Sequence, residues 1–163
     1  MAEPEQGTPM DEGVSGGGSE DAERQEEGSP EPTRTAEEAK QAGNAAFKAG
    51  KYADAVAAYT EAIALDGTQP AFYSNRAMTL IKMGKLSDAH ADGLKATQID
   101  PTFGKGFLRA AQASVKMGSF DSAIGLFAKA LEADPALSSA LKEKQAAEEA
   151  HRVSTQVRPS QAV

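Results

Sequence analysis

The chain matches itself at a shift of 34 residues, and this period limits what its 163 residues can fold into more than any other feature. Across residues 36–137, Gly43, Ala77 and Ala111 fall in register, as do Gly50, Gly84 and Gly118. Tyr52, Leu86 and Phe120 form another lane, followed by Ala55, Ala89 and Ala123, and then Ala62, Ala96 and Ala130. Asp66, Asp100 and Asp134 close the units, with Gly67, Pro101 and Pro135 behind them. The units are therefore 36–69, 70–103 and 104–137. A piece of this length cannot bury its apolar face alone, so the three must stack.

Each lane has a physical reason. Small residues early and late in a unit let two antiparallel helices approach closely. The mid-unit glycine supplies a left-handed or otherwise open backbone for the turn between them. The bulky residue two places later anchors the second helix, and proline after the closing Asp cannot continue a helix. Apolar residues recur at helical spacing, as in Ala55, Ala58, Tyr59, Ala62 and Ile63. The expected fold is all-α, with three helix-turn-helix units.

This period and these lanes resemble the tetratricopeptide repeat (TPR) family across residues 36–137. The departures are Ala39 at repeat position 4, Gly67 for the terminal proline, and Gly93 at position 24, which is expected to loosen packing locally. From about 136 to 152 the chain lacks turn signals and keeps Leu137, Leu141, Ala146 and Ala150. It reads as a helix capping the last exposed face, so the domain is expected over 35–152, with a flexible tail over 153–163.

Charge divides the chain. The whole carries a formal −7, but residues 1–34 hold ten acidic residues against Arg24 and Arg34, a net of −8. That leaves +1 for residues 35–163. The acidic segment has almost no large apolar residue and reads as a disordered tail serving solubility or spacing. No secretory signal or membrane span is legible, and there is no cysteine for a disulfide or thiolate zinc site. The expected setting is the cytoplasm or the nucleus.

Catalysis has little to stand on. The two histidines, His90 and His151, are far apart in sequence and lack a clustered partner. The "GKG" at Gly104–Gly106 lacks the preceding strand that a phosphate-binding loop requires. The expected class is a binding protein rather than an enzyme.

Stacked helix pairs present a concave groove lined by the first helix of each unit. Repeat positions 2, 5, 6, 9, 12 and 13 share one face of that helix. The first unit places Lys40, Asn44 and Phe47 there; the second places Asn75, Met78, Ile81 and Lys82. The third places Lys105, Arg109, Gln112 and Lys116. The groove is thus expected to hold five cations and no carboxylate, and to receive an acidic group. Single residues have blander readings: Lys40 or Lys116 as a solvated charge, Phe47, Met78 and Ile81 as core, Asn75 as a cap or bridge.

Five of these residues resemble the two-carboxylate clamp of co-chaperone TPR domains: Lys40 and Asn44 in "AKQAGN", Asn75 in "YSNRA", Lys105 and Arg109 in "GKGFLR". The overall likeness is greatest to the first TPR domain of the stress-inducible heat-shock organising protein. The resemblance implies an adaptor for the acidic Glu-Glu-Val-Asp tails of the seventy- and ninety-kilodalton heat-shock chaperones, with no cofactor, metal, nucleic acid or membrane involved. Lys40, Asn44, Asn75 and Lys105 would hold the doubly charged terminal residue, and Arg109 an upstream carboxylate or carbonyl. Phe47, Met78 and Ile81 would receive the apolar side chains. The likeness favours the seventy-kilodalton tail, whose Ile precedes the acidic run. The alternative reading is a general scaffold for another protein partner.

Overall fold

The structure, a computed structural model, describes residues 33–156. The expected acidic tail lies outside these residues except for its last two positions, and the expected C-terminal tail lies outside them from residue 157. Seven helices and no strand occur among the described residues: α1 Ala36–Lys48, α2 Tyr52–Leu65, α3 Pro70–Lys82, α4 Leu86–Ile99, α5 Gly104–Lys116, α6 Phe120–Ala133 and α7 Ser138–Gln156. Consecutive helices pair, giving three stacked helix-turn-helix units with α7 closing the end. None of these helices is long and apolar enough to cross a membrane.

The turns inside the units are copies of one another. Gly50, Gly84 and Gly118 have φ of 74°, 74° and 77°, the left-handed region where a side chain is strained. Each glycine N–H donates to the carbonyl three residues back: Phe47, Ile81 and Val115. The following N–H reaches five residues back, from Lys51 to Ala46, Lys85 to Leu80 and Ser119 to Ser114, at 2.9 Å each. This double bond pattern satisfies carbonyls that a helix end leaves open.

The turns between units use the closing aspartates. The Asp66 carboxylate accepts from the Thr68 hydroxyl at 2.6 Å and its N–H at 3.0 Å, and Asp100 repeats this with Thr102 at 2.7 and 2.9 Å. These bonds, the hydroxyl first, hold both carboxyls below their ordinary pKa. Asp134 accepts only the Ala136 N–H, because alanine replaces the threonine there. At the chain's entry, Thr35 and Glu38 cap α1 reciprocally.

The core is built largely of alanine. Ala39, Ala55, Ala62, Ala77, Ala89, Ala96, Ala111, Ala123 and Ala130 are all fully buried, with Tyr59 and Phe127 the largest enclosed side chains. Such a core buries little area per residue, so helix axes must lie close for dispersion contacts to form.

Gly93 shows how close, and corrects the expectation that it loosens packing. A Cβ there would stand 2.6 Å from the Ala110 nitrogen and 2.8 Å from the Gly106 carbonyl oxygen. Gly106 meets α4 in return, with Thr97 Cγ2 at 2.8 Å and the Gly93 oxygen at 2.9 Å from its would-be Cβ. The backbones of α4 and α5 therefore touch directly, and the missing side chain at position 24 is what permits the contact. Gly104 is as confined on its other side, against Ala130 O and Asp134 Cβ of the α6 end, both at 2.9 Å. The glycines flanking Lys105 are packing requirements, and Lys105 between them is left exposed.

An ion pair within the second unit also reaches the first through a hydrogen bond. Arg76 on α3 donates from Nε and Nη2 to the two oxygens of Asp92 on α4, at 2.7 and 2.8 Å, and from Nη1 to Thr60 on α2 at 3.1 Å. The bidentate geometry compensates Asp92 for its near-complete burial, and bonding to Asp92 raises the Arg76 pKa. Nothing in the sequence reading marked this pair.

Helix α7 runs to Gln156 rather than ending near 152. Its final turn is closed by the Ser154 hydroxyl donating to His151 O at 2.7 Å and the Thr155 hydroxyl to Arg152 O at 2.9 Å.

The close approach predicts opposite outcomes for two mid-helix glycines. Gly93→Ala is expected to destabilise the domain by about 1–3 kcal/mol through overpacking. Gly125→Ala, with nothing within 4 Å of its would-be Cβ, is expected to stabilise it by up to about 1 kcal/mol through helix propensity alone. Thermal melts followed by circular dichroism separate these; equal shifts for the two would remove the contact as the constraint.

Candidate functional site

The first helices α1, α3 and α5 carry the residues singled out for the groove, and the structure unites them in two groups. The first joins α1 to α3. Asn44 Oδ1 accepts from the Tyr59 hydroxyl at 2.6 Å and lies 3.4 Å from Asn75 Nδ2. A phenol can donate or accept, but with a second donor directed at the same atom that atom must be the amide oxygen. The Asn44 Nδ2 hydrogens are then left without a protein acceptor. Tyr59 is itself locked: its ring, fully buried, covers Gly43, where an added Cβ would lie 2.6 Å from ring carbon Cε1. Burial pushes the Tyr59 phenol above its ordinary pKa, so it remains a donor at neutral pH.

The second group surrounds a pocket of about 420 Å³ between α3, α5 and α7. Its apolar wall is Met78, Ile81 and Val115; Lys82, Arg109 and Lys116 supply cations; Gln112 and Glu143 complete it. Six of these eight were expected from sequence. Val115 and Glu143 were not, and Glu143, with Glu37 at position 2 of the first unit, corrects the expectation of a groove without carboxylates. It comes from α7, whose docking face no repeat register specifies. Gln112 Nε2 donates to both Glu143 oxygens, at 2.9 and 3.0 Å.

Arg109 is the most constrained cation in the site. Its Nη1 donates to Gln112 Oε1 at 2.9 Å, while its Nε is buried without a hydrogen-bond partner. Burial lowers its pKa and the Glu143 charge pulls the other way. A guanidinium in this state stays charged and lacks the acceptor its desolvation calls for. Met78, Ile81 and Val115 beside it exclude water from one side of the pocket.

Three expected residues stand apart from both groups. Lys40 pairs with Glu37 at 2.7 Å on its own helix, an exposed i,i+3 contact that is easily exchanged for another anion. Lys105 is exposed and forms no ion pair with any described residue. Phe47 is half-buried and packs against Tyr52, ring centroids 5.5 Å apart at 56°, away from the Met78 pocket. Outside the groove, His151 lies 3.3 Å from Asp121, a carboxylate almost fully in solvent.

The arrangement presents donors and cations on the first helices of the three units: the Asn44 amide, Lys105, Arg109, Lys82 and Lys116. It can hold an extended acidic chain by charge-assisted hydrogen bonds, with an apolar side chain in the pocket.

Comparison with known proteins follows the same lines. A family model described as TPR repeat matches residues 43–84. Hsp70-Hsp90 organizing protein 3 of Arabidopsis thaliana is 57% identical over 42 residues, covering 26% of this chain and 8% of that protein. The chain spans between 6% and 12% of the length of the curated relatives it matches. The second TPR domain of human RPAP3, solved in complex with the HSP70 peptide SGPTIEEVD, superposes with a TM-score of 0.66 at 33% identity, over 69% of this chain and 94% of that one. The first TPR of Spaghetti (RPAP3), bound to the HSP90 peptide SRMEEVD, superposes with a TM-score of 0.69 at 26% identity, over 72% and 94%.

The Tyr59–Asn44 bond can be isolated by a double-mutant cycle. Tyr59→Phe is expected to lower stability by about 1 kcal/mol in the native sequence and by much less in an Asn44→Ala background. Urea titration of the four proteins gives the coupling; an identical cost in both backgrounds would show that the hydroxyl does not hold Asn44.

Proposed function

Since this chain belongs to the tetratricopeptide repeat family, we propose that it is a non-enzymatic adaptor that grips the acidic C-terminal tails of the seventy- and ninety-kilodalton heat-shock chaperones. The observation that carries this reading is Arg109, a half-buried arginine at the wall of a cationic groove, bonded to the protein only through Nη1. A carboxylate or carbonyl delivered by a ligand pairs with the part of the guanidinium that faces the pocket and that no described residue bonds. The TPR domains solved with Glu-Glu-Val-Asp peptides support the choice of ligand, because their likeness spans nearly the whole of those domains.

In this reading Lys40, Asn44, Asn75 and Lys105 bind the terminal residue. Tyr59 holds the oxygen of Asn44, so the amide hydrogens face the ligand. Lys40 leaves Glu37 as the terminal carboxylates arrive. Lys105 is exposed on a rigid first turn, wedged between α4 and α6 by its flanking glycines. Met78, Ile81 and Val115 take the apolar residue before the acidic run. Charge-assisted bonds contribute roughly 1.5–3 kcal/mol each, and ordering the peptide offsets much of the sum. Moderate, reversible affinity suits an adaptor in the cytosol, where these chaperone tails are presented.

Lys105→Ala and Asn44→Ala are each expected to weaken binding of a Glu-Glu-Val-Asp peptide by about tenfold or more, since about 1.4 kcal/mol suffices for that. Amidating the peptide's terminal carboxyl should weaken it comparably, and raising salt should weaken it further by screening. Calorimetry against the full chain measures all three. Affinities within twofold of the native pair for both variants and the amidated peptide would remove the clamp assignment and leave a scaffold for another partner.

A further inference from the structure

Glu143 is a groove feature that an acidic ligand does not explain, and unlike Glu37 it has no Lys or Arg paired with it. Its carboxylate lies in the pocket wall, bonded only by the neutral Gln112 amide, and no Lys or Arg among the described residues forms an ion pair with it. Gln112 stands between it and Arg109, accepting from one and donating to the other. Along α5 the groove therefore presents Lys105, then Arg109, then Gln112 with Glu143 beside it, then Val115 of the apolar wall and Lys116.

Spacing translates this order into ligand positions. Lys105, Arg109 and Lys116 rise along α5 at 1.5 Å per residue, so the pocket extends from about 6 to 16 Å beyond Lys105. An extended peptide running parallel to α5 advances about 3.3 Å per residue, so the pocket then faces residues about two to five places upstream of the terminus. The acidic pair comes first, facing Arg109; the apolar residue follows, and then the residue preceding it.

We propose that Glu143 is a specificity-determining residue that pairs with a basic side chain immediately upstream of the apolar residue, so that the groove prefers the order base, apolar, acid, acid. The inference rests on the chaperone-tail reading above. The HSP90 peptide SRMEEVD has this order, with Arg before Met, whereas the HSP70 peptide SGPTIEEVD has Thr before Ile. The preference runs opposite to the one that overall sequence likeness favours. A basic side chain can pair directly with Glu143, which no described Lys or Arg does although Lys82, Arg109 and Lys116 line the same pocket, whereas an acidic one there meets its like charge.

The test uses the full chain and four peptides: SRMEEVD, the same peptide with Arg replaced by Ala, SGPTIEEVD, and the latter with Thr replaced by Arg. Fluorescence anisotropy is expected to show about fivefold weaker binding on losing Arg and a similar gain on adding it, the upper range for a half-exposed pair. In Glu143→Gln, which keeps an oxygen for Gln112 to donate to, both effects should fall below twofold. A fifth peptide with Arg replaced by Glu should bind the native chain more weakly than the Ala peptide, a readout that needs no protein variant. An Arg effect absent from the native chain, or unchanged in Glu143→Gln, overturns the proposal. Lys105→Ala measured with the Ala peptide separates the two readings: a large loss there keeps the clamp whatever Glu143 does, and no loss removes the clamp itself.

Discussion

The molecule depends on how near two helix backbones can come when nothing larger than alanine lies between them. An alanine core supplies little transfer free energy per residue, so stability requires many short contacts and tolerates almost no added volume. At Gly93 and Gly106 this becomes direct backbone contact between α4 and α5. The copied glycine turns make each pair of helices meet in nearly the same way, and stacking follows from repetition. The Arg76–Asp92 pair adds a polar tie where α2, α3 and α4 meet, behind the groove.

The groove inherits its accuracy from that packing. Lys105 is exposed because Gly104 and Gly106 on either side are pressed against neighbouring helices. Asn44 has a defined amide orientation because Tyr59, covering Gly43, cannot move. Arg109 reaches the pocket through Gln112, which Glu143 steadies from α7. Asn44 and Arg109 are thus each held by a second residue, whereas Lys82, Lys105 and Lys116 form no ion pair with any described residue. Side chains held in this way lose less freedom on meeting a ligand of the proposed kind.

The repeat made most of the fold legible in advance: the helix pairs, the turn glycines and the face of each first helix all follow from register. Gly93 was misjudged because a lane describes what usually fills a position, whereas packing depends on what stands opposite, here Ala110 and Gly106. In the site, the positions on α1, α3 and α5 could be read because they recur. Glu143 could not, since α7 belongs to no repeat and the side it turns toward α5 is fixed only by tertiary contact. The Tyr59 hydroxyl was hidden differently: its lane asks for bulk, and the ring satisfies that whether or not its oxygen has a partner. Arg76 and Asp92 carry no sequence signal because they are sixteen residues apart and neither position repeats.

The bond between Gln112 and Glu143 makes the last helix a participant in the groove. Terminal helices open more readily than central ones, since they are packed on one side only. Each opening of α7 takes away a wall of the pocket and lets Arg109 relax toward water. The affinity seen by a ligand is then the intrinsic affinity scaled by the fraction of molecules with α7 seated. By the same linkage, a ligand of the proposed kind is expected to slow amide exchange along α7, a helix that lines the pocket only at Glu143. Whatever pulls on the chain beyond Gln156 acts on that seating equilibrium, and through it tunes the grip of a site three helices long.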